Sequence, residues 1–129
     1  MAKIERFEDI AAWQKARKLT SPIYRVCKAG DFARDFGLRD QICRASVSIM
    51  SNIAKSFGRG GDQEFIQFLA TAKGSVGEVQ AQLYVALDAG YIGKKVFAEL
   101  YALAEETGRL IGGFTKYLQQ SALKGSKFK

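Results

Sequence analysis

The sequence predicts an all-α chain folded as an antiparallel up-down-up-down four-helix bundle. Three observations carry that expectation. Apolar residues recur three and four apart over four long stretches, which puts each set on one helix face. Good helix formers dominate, and there is one proline in 129 residues. Short glycine-containing segments punctuate the stretches, and no alternating strand pattern lies between them. With 47% apolar residues, one domain over residues 1–129 can bury a core without disulfides or metal.

The first helix is expected over about residues 8–28, with Ile10, Trp13, Ala16, Leu19, Ile23 and Cys27 on its apolar face. Glu8 and Asp9 at its start and Lys28 at its end complement the helix dipole. Pro22 falls inside it. A proline there removes one backbone hydrogen bond and clashes with the preceding turn, at about 3 kcal/mol. The apolar spacing stays in phase across Pro22, so a kink is expected rather than a break.

A connector from Gly30 to Gly37 follows, with Phe32 and Phe36 expected to plug the open end of the core. The second helix, over about residues 38–57, is the stretch the chain is organised around. Ile42, Ala45, Ile49, Ile53 and Phe57 form its stripe. Gln41, Arg44, Ser46, Ser48, Ser51 and Asn52 load the same helix with polar groups, several at the stripe's margins. A buried amide or hydroxyl is costly unless hydrogen-bonded. This helix is therefore expected to make specific contacts with a neighbouring helix or subunit.

The segment Gly58-Arg59-Gly60-Gly61 is the sharpest break in the chain. It matches neither a P-loop nor a dinucleotide fingerprint, because no strand precedes it and no GK[ST] follows. It is expected to be a helix–helix turn capped by Gly58. Asp62 then caps a third helix over about residues 62–89. Its stripe is Phe65, Phe68/Leu69, Ala72, Val76, Val79, Leu83 and Ala86/Leu87. Gly74 and Gly77 lie inside it, each costing about 1 kcal/mol relative to alanine. With Ala72 and Ser75 they predict close approach of another helix backbone.

After the turn at residues 90–93, the fourth helix is expected over about residues 94–120. Its stripe reads Phe97, Leu100, Ala104, Thr107, Ile111, Phe114 and Leu118, near a heptad repeat. Leu103, Leu110 and Tyr117 widen it, which hints at contact beyond one chain. Residues 121–129 read as a basic tail.

Little in the chain suggests chemistry. There is no histidine, which removes the usual acid–base residue and the Glu-x-x-His pairs of di-iron bundles. No catalytic, cofactor-binding or metal-binding constellation is found, and the chain is expected not to be an enzyme. Cys27 and Cys43 read as reduced, small apolar residues. No apolar run approaches the roughly 20 residues that span a bilayer, and the N-terminus lacks the apolar segment of a signal peptide. A cytoplasmic protein with no membrane partner is expected.

Charge is more informative. The formal net charge is +7, with residues 1–59 at +6, 60–106 at −4 and 107–129 at +5. Such asymmetry points to a polyanion partner, nucleic acid ahead of membrane. On the first helix Lys15, Lys18 and Arg25 are expected opposite the apolar stripe, with Arg17 and Lys28 nearer its margin. Lys55 and Arg59 add charge near the end of the second helix, and Arg109 and Lys116 share a face of the fourth. A surface of this kind contacts phosphates and favours affinity over sequence readout. Gln41, Arg44, Ser48 and Asn52 on the second helix, and Gly74, Ser75 and Glu78 on the third, are the expected oligomer or structural contacts. Glu78 is expected to accept hydrogen bonds from Arg44 or Gln41 across a helix interface.

Several blocks carry a family resemblance. They are F-E-D-I-x-x-W-Q-K-A (Phe7 to Ala16), Q-I-x-R-A-x-x-S-I-x-S-N-I-A (Gln41 to Ala54), F-G-R (Phe57 to Arg59) and E-F-x-x-F-L-x-x-A-x-G-S (Glu64 to Ser75). Glu78, Leu83 and the G-Y-I turn at Gly90 to Ile92 continue them. In this order they resemble the bacterial four-helix-bundle proteins encoded inside intervening sequences of 23S ribosomal RNA genes. The resemblance implies up-down bundles that assemble as ring-shaped homopentamers. It also extends to accessory proteins of diversity-generating retroelements, which bind nucleic acid and work with a reverse transcriptase. One departure stands out: Lys55 and Ser56 occupy positions where that family usually has glutamate and glycine. The combined expectation is a non-enzymatic homo-oligomer that binds RNA or DNA through a basic surface. The alternative is an oligomeric protein-interaction scaffold with no direct nucleic-acid role.

Overall fold

The computed structural model describes residues 4–58 and 63–127. Four helices are observed: α1 (Ala11–Val26), α2 (Phe36–Gly58), α3 (Gln63–Asp88) and α4 (Lys94–Lys127). At about 1.5 Å per residue they run from roughly 24 to 51 Å in length. They pack pairwise as α1–α2, α2–α3, α3–α4 and α4–α1, which closes the bundle into a ring. Neighbours run antiparallel. Thr20 and Cys27 of α1's side meet Ser46 and Cys43 of α2. Lys55 and Ser48 of α2 meet Phe68 and Ser75 of α3. Val76 and Lys73 of α3 face Gly108 and Gly112 of α4.

The core is one continuous cluster fed by all four helices and by Phe32 and Ile92 of the connectors. The sequence stripes are recognisable in it. Ala16, Leu19, Ile23 and Cys27, then Ile42, Ala45, Ile49 and Ile53, are buried as expected. So are Phe65, Leu69, Ala72, Val76, Val79, Leu83 and Ala86 of α3, and Leu100, Ala104, Thr107, Ile111 and Phe114 of α4. Thr107 is accommodated in this apolar setting because its hydroxyl donates to the Leu103 carbonyl at 2.7 Å.

Several boundaries and packing details differ from the sequence reading. Residues Phe7–Asp9 form a separate 3-10 turn, so Glu8 and Asp9 precede α1 rather than occupy its first turn. Helix α1 runs through Pro22 without a break, in keeping with the in-phase apolar spacing. Phe32 is buried, but Phe36 is 63% exposed and lies beneath the Arg39 guanidinium, 4.8 Å from the ring centre. It opens α2 instead of plugging the core. At the other end of α2, Ser56 rather than Phe57 completes the buried stripe. Its hydroxyl donates to the Ile53 carbonyl, which makes a small polar residue tolerable there. Helix α4 continues through the stretch read as a tail, to Lys127.

The α3 glycines make no close contact inside one chain. An added Cβ at Gly74 or Gly77 would meet nothing within 4 Å. Both are exposed, so no helix of this chain approaches them closely. The close α2–α3 contact is made instead by Ser75 and Ser48, whose hydroxyls are 3.0 Å apart. Asn52 adds its amide to the Ser48 carbonyl at 2.9 Å and to the Ser48 hydroxyl at 3.1 Å. The polar load of α2 is thus used partly within the bundle. Arg59, Asp62 and the glycines beyond Gly58 lie outside the described residues. No helix among the described residues is long and apolar enough to cross a membrane.

Candidate nucleic-acid interface

The candidate surface is built on α1. At about 100° per residue, Arg17, Lys18 and Arg25 fall within one arc of roughly 100°, and Lys28 follows in the turn just past the end of α1. The buried residues Ala12, Ala16, Leu19 and Ile23 occupy the opposite side. The amphipathic spacing that buries one face therefore fixes the three cations of α1 outward. All four are exposed. Among the described residues none has a carboxylate within ion-pair reach. Arg25 instead donates to the Ser21 hydroxyl at 3.0 Å, and the Arg17 guanidinium lies 5.9 Å from the centre of the Trp13 ring. With about 1.5 Å of rise per residue the stripe is roughly 16 Å long.

This arrangement redistributes the expected residues. Lys15, expected opposite the core, is the one that lies at the margin. Its ammonium pairs with Glu106 of α4 at 3.4 Å, and its side chain is only 22% exposed. It joins α1 to α4 and is not a free cation. Arg17 and Lys28, expected at the margin, belong to the outer stripe. Lys55 is exposed on α2 with its ammonium 6.0 Å from the centre of the Phe68 ring of α3. Arg59 lies outside the described residues.

Sequence reasoning missed a shallow cleft at the head of the stripe. Arg6, Glu8, Trp13, Gln14, Arg17, Lys18 and Ser21 line a volume of about 580 Å³. Trp13 stands edge-on to Phe7, with ring centres 5.1 Å apart, and the Gln14 amide donates to the Glu8 carbonyl at 2.9 Å. Arg6 is engaged with Glu8 and Asp9 at 3.9 and 3.6 Å. The cations of the cleft without a carboxylate partner among the described residues are Arg17 and Lys18, beside the Trp13 indole. The signal was present in the sequence as W-Q-K-A-R-K, an aromatic interleaved with bases.

The second group of expected residues converges on a groove between α2 and α3. Gln41, Arg44, Ser48, Ser75, Glu78 and Gln82 line a volume of about 540 Å³. The expected hydrogen bond to Glu78 is not formed. Arg44 and Glu78 are both exposed, and no ion pair joins them among the described residues. Both side chains are long enough to reach water, and separate hydration removes any need to pair. Gln82 Oε1 is buried without a hydrogen-bond partner among the described residues. Gly74 faces outward, away from this groove's floor of Ser48 and Ser75.

On the outer side of α3, Ala70, Gly74, Gly77, Ala81, Tyr84 and Val85 are exposed and fall on one face, which carries no charge until Asp88 at its C-terminal end. Tyr84 is half exposed and packs on Phe97 and Tyr101 of α4, with ring centres 4.8 and 5.7 Å away.

The cysteines are free thiols, as their sequence reading expects, and they meet each other. Cys27 and Cys43 bring their Sγ atoms to 3.1 Å across α1 and α2. Burial, followed by the hydrogen bond with Cys27, pushes the Cys43 thiol up to about 12.

Comparison with known proteins bears on this geometry. A crystal structure of a protein of unknown function from the S23 ribosomal protein family of Bacteroides thetaiotaomicron superposes with a TM-score of 0.73. The match covers 81% of this chain and 97% of that one at 20% identity, a likeness of fold. No curated protein matches the chain. The sequence profile of the 23S rRNA-intervening sequence proteins matches residues 8–113, which include α1, α2, α3 and most of α4. With that match over most of its length and the bundle described above, the chain belongs to the 23S rRNA-intervening sequence protein family.

Proposed function

We propose that this protein is a non-enzymatic nucleic-acid-binding protein that works as a homo-oligomer. It contacts RNA or DNA through its basic surface without sequence preference. The observation that carries this reading is the α1 stripe: four exposed cations opposite the core, none of them neutralised by a carboxylate among the described residues. A stripe of roughly 16 Å matches about five phosphates of one strand at roughly 3.4 Å each. Contacts of this kind release counterions and carry no base readout. The family's name refers to ribosomal RNA, which supports RNA as the first ligand to test.

The homo-oligomer is supported by the outer face of α3 from Ala70 to Val85, where small and apolar residues are exposed ahead of Asp88. Small residues there leave room for a second helix backbone, and Tyr84 and Val85 offer apolar area. We take the assembly to be a ring of five in the cytoplasm, acting beside a reverse transcriptase. That part rests on the resemblance to retroelement accessory proteins. An oligomeric scaffold for a protein partner is the second reading, favoured by the exposed Tyr84 ring and the partly buried Phe97 and Tyr101 rings it packs on.

A mobility-shift series with RNA and DNA oligonucleotides across increasing salt tests the proposal. Binding at low salt that weakens steeply as salt rises supports it. Absent binding at low salt, or binding indifferent to salt, overturns it and leaves the scaffold.

A further inference from the structure

Cys27 and Cys43 lie on different helices, sixteen residues apart in sequence, yet their sulfurs touch at 3.1 Å. The two are not equivalent. Cys27 is 1% exposed and sits behind its partner. Cys43 is half-buried and faces a cleft of about 470 Å³ lined also by Tyr24, Lys28, Arg39 and Arg44. A small oxidant entering that cleft meets Cys43 first and finds a second thiol directly behind it.

We infer that the Cys27–Cys43 pair is a covalent modification site for small two-electron oxidants of the hydroperoxide class, closing an intramolecular disulfide between α1 and α2. The sulfurs need to approach by about 1 Å to reach the bonded distance of roughly 2.05 Å. The Cys43 thiolate attacks one peroxide oxygen, and the O–O bond breaks. Cys43 becomes a sulfenic acid, and the released hydroxide takes a proton to leave as water. Cys27 sulfur then attacks Cys43 sulfur. The S–S bond forms, the S–O bond breaks, and a second water departs with the Cys27 proton. Two thiols lose two electrons, and one peroxide becomes two waters.

The high proton affinity of Cys43 makes the first step slow at neutral pH and faster as pH rises. Arg39 on the cleft wall favours the thiolate and Asp40 beside it opposes it. Nothing in this inference depends on nucleic-acid binding.

The test uses the full-length protein, reduced, freed of reductant and treated with hydrogen peroxide. Remaining thiols are capped with N-ethylmaleimide before intact-mass and peptide analysis. The expected product is a single chain lighter by two hydrogens, carrying no cap, with Cys27 and Cys43 peptides joined and separable by dithiothreitol. Two capped thiols, oxygen atoms retained on either sulfur, or a disulfide between two chains each overturn the inference. A second measurement uses Cys27→Ser. Its Cys43 sulfenic acid has no thiol to condense with and is trapped by dimedone. Wild-type protein that yields the same dimedone adduct in equal amount also overturns it.

Discussion

The Tyr91 hydroxyl donates to Asp35 Oδ2 at 2.9 Å, while Asp35 Oδ1 accepts the Leu38 N–H at 3.1 Å. One carboxylate therefore caps α2 and ties down the α3–α4 turn. The turn is set by Gly90 at φ 78, with Gly90 N–H on the Leu87 carbonyl and Tyr91 N–H on the Ala86 carbonyl. That paired closure aims Tyr91 back at Asp35 and stacks its ring on Phe32 at 5.2 Å.

Asp35→Ala removes both contacts, and the cap alone is worth about 1 kcal/mol. Tyr91→Phe removes only the hydroxyl's bond. Denaturant unfolding is expected to show Asp35→Ala less stable than Tyr91→Phe by about 1 kcal/mol. Equal losses would mean that Asp35 does not cap α2.

Alkaline pH should destabilise the protein in a defined window. The Cys43 thiol rises from an ordinary 9.0 to about 12 in the fold. The unfolded chain gives up this proton more readily than the folded one, so raising pH favours unfolding. The contribution is fully present below about 9 and is lost between about 9 and 12. Tyr91, raised by its bond to Asp35, acts in the same direction above its ordinary 10.0. Thermal midpoints measured from neutral to alkaline pH should fall through this window, and Cys43→Ala should fall less steeply. Parallel curves for the two proteins would refute the assignment to Cys43.

Neutralising Arg17, Lys18, Arg25 and Lys28 together to glutamine should leave the helical signal unchanged and lower the salt dependence of nucleic-acid binding. The slope of log affinity against log salt should shrink by about 3 to 4, near one unit for each cation lost. Lys15→Met, by contrast, should leave that slope alone, because Glu106 already holds its charge. A slope that drops with Lys15→Met but not with the fourfold variant would place the interface elsewhere.

Ala81→Glu puts a charge in the middle of the Ala70–Val85 face of α3 without touching the core of one chain. Multi-angle light scattering at micromolar concentration should show the assembly fall to single chains with helicity intact. An unchanged mass would remove this face from the assembly.

Single-residue truncation of Ser75 probes the α2–α3 seam. Ser75→Ala leaves Ser48 still bonded to the Asn52 amide, so the cost should be only about 1 kcal/mol in the unfolding free energy. A loss well above that would mean that the seam depends on the hydroxyl pair more than its geometry implies.

The sequence by itself determined the helices and most of the core. Leu19, Ile23, Ile42, Ile49, Ile53, Leu83 and Ile111 could be assigned to the inside because helical periodicity is local and burial follows it. It also determined that the ends of the chain are cationic. Tertiary structure alone decided which polar groups meet. Lys15 and Glu106, Asp35 and Tyr91, Ser48 and Ser75, and Cys27 and Cys43 are distant in sequence. Their contacts depend on the axial offset of one helix against the next. The same offset turned Gly74 and Gly77 away from the other described helices. Periodicity specifies a face to within part of a turn, but not the register at which two faces dock. Packing of the whole core sets that register, and with it which charges of the basic surface stay free.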